Sequence, residues 1–557
     1  GYYIGYLKII DPLYSKRYTM TAKSMMKSTP PSLSAKKPVK TQCYNPATGQ
    51  KLVEYPVNSI NDVNEAVRRA KTVQQQWAGI SLKKRISHMR KIRAYITENL
   101  DTLAEQISSD NGKTVTDALL TELVSATMAV SYYCKNAANF LEDRKLSPGN
   151  VLFVNKRSRI IRVPFGVVGI ISPWNYPFAI PFSEIIMALL AGNCVVYKAA
   201  SETQLVGHAL KKCIEEAELP EGVFNYINIP GSIAGDAFLE AGIDKLFFTG
   251  SVPIGKYLMR KAAETLTPVS LELGGNDPAI VFDDADLIRA ATGITWAGFQ
   301  NCGQSCGGVE RVYVHKSVYS EFLSILKREI ESLRIGIGTA FDTDIGSMTT
   351  ERQMKTVQEH ISDALKKGAS IFVQSFVDPK LKGFFLPCTV LTDVNHDMIV
   401  MREETFGPVI GVMPYETIEE AIEYANDSRL GLTASLWSKN AKRAITIARK
   451  IKAGAITIND HLVSHGMAET PWGGFKESGI GRTHGDIGFA EMTEPVVVMN
   501  DVMPLVKKNF WWHPFSKTVY NGGKGVVYLL YGKNLFKRLT GMFYLMKAFP
   551  RTFLANK

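Results

Sequence analysis

Apolar positions recur at helical spacing in the first part of the chain. In SINDVNEAVRRAKTVQQQW the apolar residues between Val63 and Val73 fall on one face of a helix, and Ser59 or Asn61 can cap its first turn. Further helices are expected from about 81 to 142. The later stretch VLFVNKRSRIIRVPFG alternates apolar and basic residues, which predicts an exposed hairpin or an edge pair of strands.

From residue 166 the pattern changes to repeated strand–turn–helix units. The run GVVGIIS is short and does not alternate, as in a strand that is buried on both faces. Helical and strand patterns then follow in turn up to KLFFTG, and a second unit of this kind extends from about 273 to 470. This order predicts an α/β fold with doubly wound parallel sheets, divided into two or more domains over 557 residues.

Composition and charge narrow the class of protein. Seven cysteines are few and odd in number, which argues against a disulfide framework and favours a reducing, cytoplasmic compartment. No apolar run in the sequence approaches the length of a membrane-spanning helix. The net charge of +12 is concentrated in the C-terminal tail, 501–557, with ten Lys or Arg residues and one acid. Most of the positive charge therefore belongs to the tail, and nucleic acid is not needed as a partner to explain it.

The N-terminal extension, 1–41, has a separate character. Its first 40 residues contain eight Lys or Arg, one Asp and many hydroxyl residues, without the apolar core of a secretory signal. A mitochondrial transit peptide and an upstream region before a true start at Met20 both fit this composition. We expect the segment to be poorly ordered until about Gln42.

Four short motifs lie at or just beyond predicted strand ends, where parallel sheets bind ligands. They are SPWNYPF, FFTGSVPIG, LELGGNDP and FQNCGQSC. Taken singly, each is also compatible with ordinary turns and helix packing. The last motif holds Cys302 and Cys306, which lack a second closely spaced Cys/His pair, so a metal site is not expected. One of the two could be a nucleophile, or both could be small residues in a tight turn.

Together, these motifs resemble those of the aldehyde dehydrogenase superfamily, from about Tyr44 to Met499. The resemblance continues in order through EETFGPV, NDSRLGLTASLW and PWGGFKESGIGR. It implies a dinucleotide-binding domain, a catalytic domain, a small β oligomerisation element in a homodimer or homotetramer, and the separate tail. The implied boundaries are 42–147 with 166–272, 273–470, 148–165 with 490–500, and 501–557.

The resemblance also implies the roles of three site residues. Cys306 matches the nucleophile, whose thiolate attacks the aldehyde to form a thiohemiacetal and then a thioester. The side-chain amide of Asn175 and the backbone N–H of Cys306 would stabilise the oxyanion. Glu272 matches the general base that activates water, and a carboxylate in an apolar tunnel should have a raised pKa. Cys302 matches no functional position.

For the cofactor, the resemblance implies NAD held by several loops. Gly250 and Ser251 would bring a helix N-terminus to the pyrophosphate, Lys198 would contact the adenine ribose, and Glu404 the nicotinamide ribose. The remaining expected contacts are Phe406 beside the nicotinamide, Trp174 on the adenosine side, and Gly255 and Leu273.

One departure from the family concerns cofactor choice. The family often reads K-P-x-E, whereas this chain reads KAASET, with Ser201 at the position of the Glu and Glu202 next to it. A Glu repels a 2′-phosphate and a Ser does not. NAD stays the first choice, NADP is less excluded than in a typical member, and a one-residue shift would let Glu202 act in place of the Glu.

The expected substrate is an apolar, medium- or long-chain or broad-range aldehyde. Semialdehyde-oxidising members need an Arg for the distal carboxylate, and here Ser183 lies about where that Arg would be. His461 and His465, on the opposite wall, are expected to be tunnel-mouth or loop residues. Three alternatives stay open: a CoA-acylating enzyme, a semialdehyde dehydrogenase, and an inactive membrane-bound scaffold.

The C-terminal tail has no match in common soluble members of the family. Its twelve aromatic residues lie among ten basic ones. From about Val526 to Phe549 the pattern predicts a basic amphipathic helix, broken or kinked near Gly532 and Gly541. Residues 505–557 are expected to lie on an anionic membrane surface, peripheral at its inner face. Packing on the protein itself and binding to another protein are the alternatives.

Overall fold

We describe a computed structural model of the chain, in which residues 39–339, 341–509 and 511–554 are described. The prediction for residues 1–38 lies outside these ranges. A strand already begins at Lys40, one residue before the predicted end of the N-terminal extension at 41.

The strands are numbered in chain order. They are β1 Lys40–Tyr44, β2 Lys51–Pro56, β3 Arg144–Leu146, β4 Lys156–Pro164, β5 Val167–Ile171, β6 Cys194–Lys198, β7 Phe224–Tyr226, β8 Lys245–Thr249, β9 Val269–Glu272, β10 Asp277–Val281, β11 Val309–His315, β12 Ser370–Gln374, β13 Thr389–Thr392, β14 Val409–Tyr415, β15 Thr433–Trp437, β16 Ala455–Ile458, β17 Gly479–Ile480 and β18 Thr493–Asp501.

The α-helices follow the same order. They are α1 Ile60–Gly79, α2 Leu82–Glu98, α3 Leu100–Asn111, α4 Val115–Asp117, α5 Val124–Leu141, α6 Ala179–Ala191, α7 Gln204–Glu215, α8 Gly231–Glu240, α9 Val252–Ala263, α10 Leu287–Phe299, α11 Tyr319–Ser332, α12 Glu351–Lys366, α13 Ile418–Asn426, α14 Ala441–Ala448, α15 Val463–Gly466, α16 Gly485–Glu491, α17 Lys517–Tyr531 and α18 Leu535–Ala548.

The first predicted helix begins as its sequence indicates. Of the two candidate caps, Ser59 is the one used: its hydroxyl accepts from the N–H of Asp62, whose carboxylate accepts from the N–H of Ser59. This reciprocal pair satisfies two donors that the first turn would otherwise leave unpaired. The apolar face of α1 is buried, so the helical pattern predicted both the element and its orientation.

Two parallel sheets form the centre of the protein, which confirms the α/β fold class. The first has the strand order β17–β9–β8–β5–β6–β7, with β17 the antiparallel edge strand. The second has the order β12–β13–β14–β11–β10–β15–β16 and is parallel except for β12. Each sheet packs against helices in its own hydrophobic cluster, and β5, β6, β8 and β10 are buried along their whole length. SPWNYPF follows the carboxyl end of β5, and FFTGSVPIG and LELGGNDP extend across those of β8 and β9. FQNCGQSC instead lies between α10 and the start of β11, so for this motif the expected place beyond a strand's carboxyl end is wrong.

A third, smaller sheet corrects the predicted hairpin. Its strand order is β18–β4–β3, and all its strands are antiparallel. Residues 156–164 form the central strand of this sheet, whereas Val151–Phe153 form a short 3-10 turn rather than a second arm of a hairpin. The alternating pattern identified a strand, but its partners come from distant parts of the chain, which periodicity does not reveal. β4 pairs with β18, so the two segments assigned to the oligomerisation element, 148–165 and 490–500, do lie in one sheet.

The C-terminal tail forms two helices, α17 and α18, packed against each other. The chain breaks at Gly532, as predicted, but α18 runs through Gly541 without interruption, so that part of the prediction is wrong. Gly541 instead permits close packing: a Cβ there would lie 2.5 Å from the backbone N of Leu529. Within the described ranges, neither these helices nor any other is long and apolar enough to cross a bilayer.

Candidate active site

Two cavities share Cys306, His465 and Trp472 as lining residues. The first cavity has a volume of about 250 Å³ and the second about 260 Å³. The first brings together most of the predicted site residues, which come from both large sheets: Trp174, Asn175, Gly250, Ser251, Glu272, Leu273, Cys306, Glu404 and Phe406.

The loop that carries Cys306 is held in an unusual backbone conformation. Asn301 and Cys302 both have positive φ angles of 51° and 54°, in the left-handed region. The N–H of Asn301 donates to Asp117 Oδ2 at 2.7 Å, and its Nδ2 donates to the carbonyl of Asn175 at 2.9 Å. Cys302 is buried and lines neither cavity, whereas Cys306 is partly exposed and lines both. The geometry therefore distinguishes the two cysteines, because only Cys306 borders the cavities.

The electrostatic surroundings of Cys306 keep its thiol protonated. Burial raises its pKa well above the ordinary value, and the nearby carboxyls of Glu404, Glu272 and Asp277 raise it further. Because the thiolate is the nucleophilic form, this arrangement needs a group that accepts the proton during attack.

Glu272 ends β9 and lines the first cavity, where its Oε2 has no hydrogen-bond partner. Burial raises its pKa well above the ordinary range, and the neighbouring Glu184 adds to that rise; Arg482 and Trp472 oppose it. Glu184, on α6, lines the same cavity, and burial raises its pKa to about 8. Two carboxyls with unpaired oxygens thus face one cavity, and sequence reasoning missed the second.

Asn175 lines the first cavity, and hydrogen bonds from buried side chains hold the loop that carries it. Its Nδ2 donates to the carbonyl of Gln304 at 3.2 Å, and its Oδ1 has no partner. The loop is held by Lys113, whose Nζ donates to the carbonyl of Asn175 at 2.9 Å and to Glu122 Oε1 at 2.7 Å. Asn111 donates to the carbonyl of Trp174 at 2.8 Å. Sequence reasoning missed this support, because buried charged residues run against the polarity pattern.

The two glycines of the ELGG motif are required by close approach. A Cβ at Gly274 would lie 2.3 Å from Glu404 Oε2, and one at Gly275 would lie 2.2 Å from the carbonyl oxygen of Cys306. The N–H of Gly275 donates to Glu404 Oε1 at 3.1 Å. The motif therefore brings the Glu272 strand, the Cys306 loop and Glu404 together at one point.

A buried carboxylate orders the loop around Phe406. Glu310 Oε1 accepts the N–H groups of Thr405 and Phe406 at 2.8 and 2.9 Å, and its other oxygen accepts from Asn276 at 2.7 Å. Phe406 has a positive φ of 53°, and its ring meets that of Trp174 edge to face at 5.3 Å. Nothing in the sequence pattern around Glu310 marked it as a site residue.

The start of α9 is suited to bind an anion. Ser251 precedes the helix but makes no capping hydrogen bond through its side chain, and Gly250 and Ser251 both line the first cavity. The N–H groups of a first helical turn have no partners within the helix, and together with the helix dipole they attract phosphate. A dinucleotide thus fits the cavity by the chemistry of its lining. Arg352, another residue of the lining, is a cation that the sequence analysis missed.

Four predicted cofactor residues lie outside the lining of the first cavity: Lys198, Ser201, Glu202 and Gly255. Gly255 serves helix packing, since a Cβ there would lie 2.6 Å from the side chain of Leu273. Lys198 is buried at the end of β6, and its Nζ lies 3.5 Å from where a Cβ of Gly231 would be. Burial lowers the pKa of Lys198 to about 8, and the charge of Glu202 opposes that shift.

The second cavity is apolar. Its lining combines aliphatic, aromatic and hydroxyl residues with the imidazole of His465, and contains no Arg, Lys, Asp or Glu: Leu120, Thr121, Val124, Ser125, Met128, Tyr176, Trp296, Ser305, Cys306, Leu462, Val463, His465, Gly466, Met467 and Trp472. Burial lowers the pKa of His465 to about 4, so its ring is neutral near neutral pH. Part of the wall is a π-helical turn, Ala118–Leu123, an element frequent at functional sites.

In the described part of the chain, His461, the other histidine considered from the sequence, and the cysteines do not form a metal site or a disulfide. His461 is buried, and its Nε2 donates to the carbonyl of Gly307 at 2.7 Å, directly after Cys306. It is therefore a loop residue that supports the cysteine, whereas His465 lines both cavities. All seven cysteines are free, and the described residues contain no group of His, Cys, Asp and Glu that could hold a metal ion.

Comparison with known proteins gives a consistent result. Residues 33–498 match the family described as "Aldehyde dehydrogenase family". The 4,4'-diapolycopene aldehyde oxidase of a Methylomonas species is 36% identical over 88% of this chain and 91% of its own length. A Mycolicibacterium smegmatis protein named "Putative succinate-semialdehyde dehydrogenase (NADP+)" is 37% identical over 81% of this chain and 87% of its own length. The NAD+ complex of a Bacillus cereus aldehyde dehydrogenase aligns with a TM-score of 0.79 and 33% identity over 84% and 94% of the two chains.

Proposed function

The chain belongs to the aldehyde dehydrogenase family, and from that premise we propose that it oxidises an apolar aldehyde of medium or long chain to the carboxylic acid. The chain is an oxidoreductase by family. The proposal of an apolar substrate is supported by the second cavity, which extends to Cys306 and whose lining contains no charged side chain.

That lining opposes a substrate with a distal carboxylate. A buried carboxylate needs a cation or several donors, because its desolvation costs several kcal/mol. Ser183, at the expected place of the Arg, is buried outside the lining of the second cavity. The relative named as a succinate-semialdehyde dehydrogenase favours the other substrate class, whereas the diapolycopene aldehyde oxidase acts on a hydrocarbon aldehyde by its name.

The chemistry we propose follows from the residues around Cys306. Its sulfur attacks the aldehyde carbonyl while Glu272, whose free Oε2 faces the cavity, accepts a proton. The backbone N–H of Cys306 and the amide of Asn175, released from Gln304, stabilise the developing oxyanion, each by about 3 kcal/mol. A bound nicotinamide cofactor supplies the hydride acceptor. After Glu272 has lost that proton to solvent, it takes a proton from water, whose oxygen attacks the thioester carbonyl; the Cys306 sulfur leaves, takes the proton back from Glu272, and the carboxylic acid is released.

We propose that the first cavity holds NAD or NADP. Gly250, Ser251 and the first turn of α9 would bind the pyrophosphate, with Arg352 as a further cation, and Glu404 and Phe406 would lie by the nicotinamide end. NAD stays the first choice. The uncharged Ser201, in place of a Glu, removes one source of repulsion toward a 2′-phosphate, so NADP use is expected as well.

A chain-length series tests the substrate class. We would compare kcat/KM for unbranched aldehydes from acetaldehyde to hexadecanal and for succinic semialdehyde, each with NAD and with NADP. A rise with chain length and little activity on the semialdehyde supports the proposal. A maximum at short chains or on the semialdehyde contradicts it.

Two other functions receive less support. CoA-acylating relatives usually lack the glutamate, and here Glu272 lines the cavity together with Cys306. Product formation that depends on added CoA would favour that alternative. An inactive scaffold would not need Cys306, Glu272 and Asn175 to converge, and failure of Cys306 to react with an alkylating agent would favour it.

We propose that the domain boundaries follow the two sheets, with 42–147 and 166–272 binding the dinucleotide and 273–470 catalytic. The third sheet would be the oligomerisation element of a homodimer or homotetramer. Its edge strand β18 is exposed along nearly its whole length, with Val497 at 61% exposure. An exposed apolar edge strand is a template for pairing with another chain.

We also propose that the tail lies on an anionic membrane surface. Along α18 and at the residue after it, large apolar residues recur at helical spacing and remain exposed: Leu535, Phe536, Leu539, Met542, Phe543, Met546 and Phe549. No acid occurs from residue 502 to the end of the sequence, and each basic residue near an anionic surface contributes roughly 1 kcal/mol. Deletion of 505–557 should abolish sedimentation with anionic liposomes; unchanged binding would contradict this part of the proposal.

A further inference from the structure

A third cavity, of about 650 Å³, lies between the tail and the body of the protein, and we call it the tail cavity. This volume is within the range of small-molecule sites. The lining is mostly apolar: Leu152, Val154, Asn155, Met503, Val506, Asn509, Trp511, Leu529, Met542, Leu545, Met546, Ala548, Phe549, Pro550, Thr552 and Phe553. None of these residues lines either cavity at Cys306.

The structure assigns this cavity to a long-chain carboxylate, with the alkyl chain in the apolar interior and the carboxylate at Arg551. This is a binding site separate from catalysis. The choice of a carboxylate head also rests on the proposed function, because a long-chain carboxylate is its product.

The apolar interior suits a flexible chain. Met503, Met542 and Met546 contribute unbranched, polarizable side chains that adapt to ligands of variable shape. The ring of Trp511 closes one wall, where it meets the ring of Phe153 at 6.1 Å. Burying an alkyl chain here stabilises the complex by about 0.8 kcal/mol for each methylene removed from water.

An unpaired donor lies beside the cavity. Arg551 stands in the chain between two lining residues, Pro550 and Thr552, and its Nε is buried without a hydrogen-bond partner. One of its terminal nitrogens donates to the carbonyl of Trp512, which fixes the guanidinium in place. A buried N–H of a charged group without a partner costs free energy, and a carboxylate would satisfy it.

The surrounding charge favours an anion and excludes a cation. The N–H of Lys507 donates to the carbonyl of Thr552 at 2.8 Å, which brings a second cationic residue to the same end of the cavity. Residues 502–557 contain no Asp or Glu to compete for these groups. Met542, Met546 and Phe549 belong both to the lining and to the exposed stripe of α18, so a lipophilic ligand has a continuous apolar path into the cavity.

Quenching of Trp511 by stearate that carries a nitroxide on its chain tests the assignment. The readout is the difference in quenching between the full-length protein and its Trp511→Phe variant, since tryptophans near Cys306 contribute equally to both. We expect saturable quenching at micromolar probe. Arg551→Gln should weaken binding about tenfold, the effect of one charge-assisted hydrogen bond. Lys533→Gln, which removes the same charge elsewhere on the tail, should change it little.

A second pair of variants tests whether the ligand's alkyl chain occupies the interior of the tail cavity. Val506→Phe fills part of the cavity and should weaken binding, whereas Val527→Phe, at an exposed position of α17, should not. If Val506→Phe disturbs the helices, as circular dichroism would reveal, the arginine comparison decides alone. Absent quenching of Trp511, equal effects of Arg551→Gln and Lys533→Gln, or quenching only by labelled phospholipid in vesicles would overturn the assignment. The result is independent of the aldehyde series, so the two proposals can fail separately.

Discussion

Lys113 and Glu122 form an ion pair, Nζ to Oε1 at 2.7 Å, with both side chains fully buried. The remaining bonds of this pair hold the loop around Asn175: Lys113 donates to the carbonyl of Asn175, and Glu122 Oε2 accepts the N–H groups of Phe178 and Ala179. The pair thus connects the π-helical turn, through Glu122, and the chain before it, through Lys113, to a wall of the first cavity.

Breaking this pair should reduce both stability and activity. Lys113→Met leaves a buried carboxylate without its partner, which costs about 3–5 kcal/mol. We expect a clear fall in melting temperature together with a lower kcat/KM, because Asn175 loses its support. The double variant Lys113→Met/Glu122→Leu should lose less than the two single variants combined, although two N–H groups stay unpaired. Lys91→Met, which breaks an exposed pair with Glu218, serves as the control and should change neither quantity.

A cation in the second cavity should change the substrate class. Thr121→Arg places a guanidinium in the apolar lining, which we expect to raise kcat/KM for succinic semialdehyde and to lower it for long-chain aldehydes, each by about tenfold. Thr127→Arg, outside this lining, is the matched control. If both variants keep the parent's preference, the second cavity does not bind the substrate's distal end.

The pH dependence of the rate should respond to Glu184. Burial and the Glu184 charge raise the pKa of Glu272, so its carboxylate, the proton acceptor, forms only above its ordinary range. The rate should therefore rise with pH. Glu184 carries this charge above its own raised pKa of about 8, and Glu184→Gln removes it, so in that pH range the acid limb of the kcat/KM profile should move to lower pH. Movement to higher pH, or no movement, would show that Glu184 does not act on the base.

Most of the fold could be predicted from the sequence, because buried parallel strands appear as short, unbroken apolar runs. The run at Val167–Ile171 is unbroken and apolar, and it is fully buried in the structure. The buried residues that support the active-site loops could not be predicted from the sequence. Glu122, Glu310 and Lys113 are charged residues inside the protein, and their partners are distant in sequence or belong to the backbone. Local periodicity likewise found the strand at 156–164 but not its partners.

Cofactor preference should depend on position 201. Ser201→Glu adds a negative charge where the family often has one, and we expect kcat/KM with NADP to fall about tenfold while that with NAD changes little. Glu202→Gln is the companion variant. If it raises NADP use instead, the neighbouring Glu202 is the residue that discriminates.

The most direct test of the account is to trap the covalent intermediate. Glu272→Gln protein mixed with hexadecanal and NAD should release one equivalent of NADH, more slowly than the parent because attack loses its proton acceptor, and then stop, because hydrolysis of the thioester needs the base. Mass spectrometry should find the acyl group on the peptide with Cys306, and succinic semialdehyde should give little adduct. An acyl group on Cys302, no adduct at all, or preferential trapping of the semialdehyde would contradict the account.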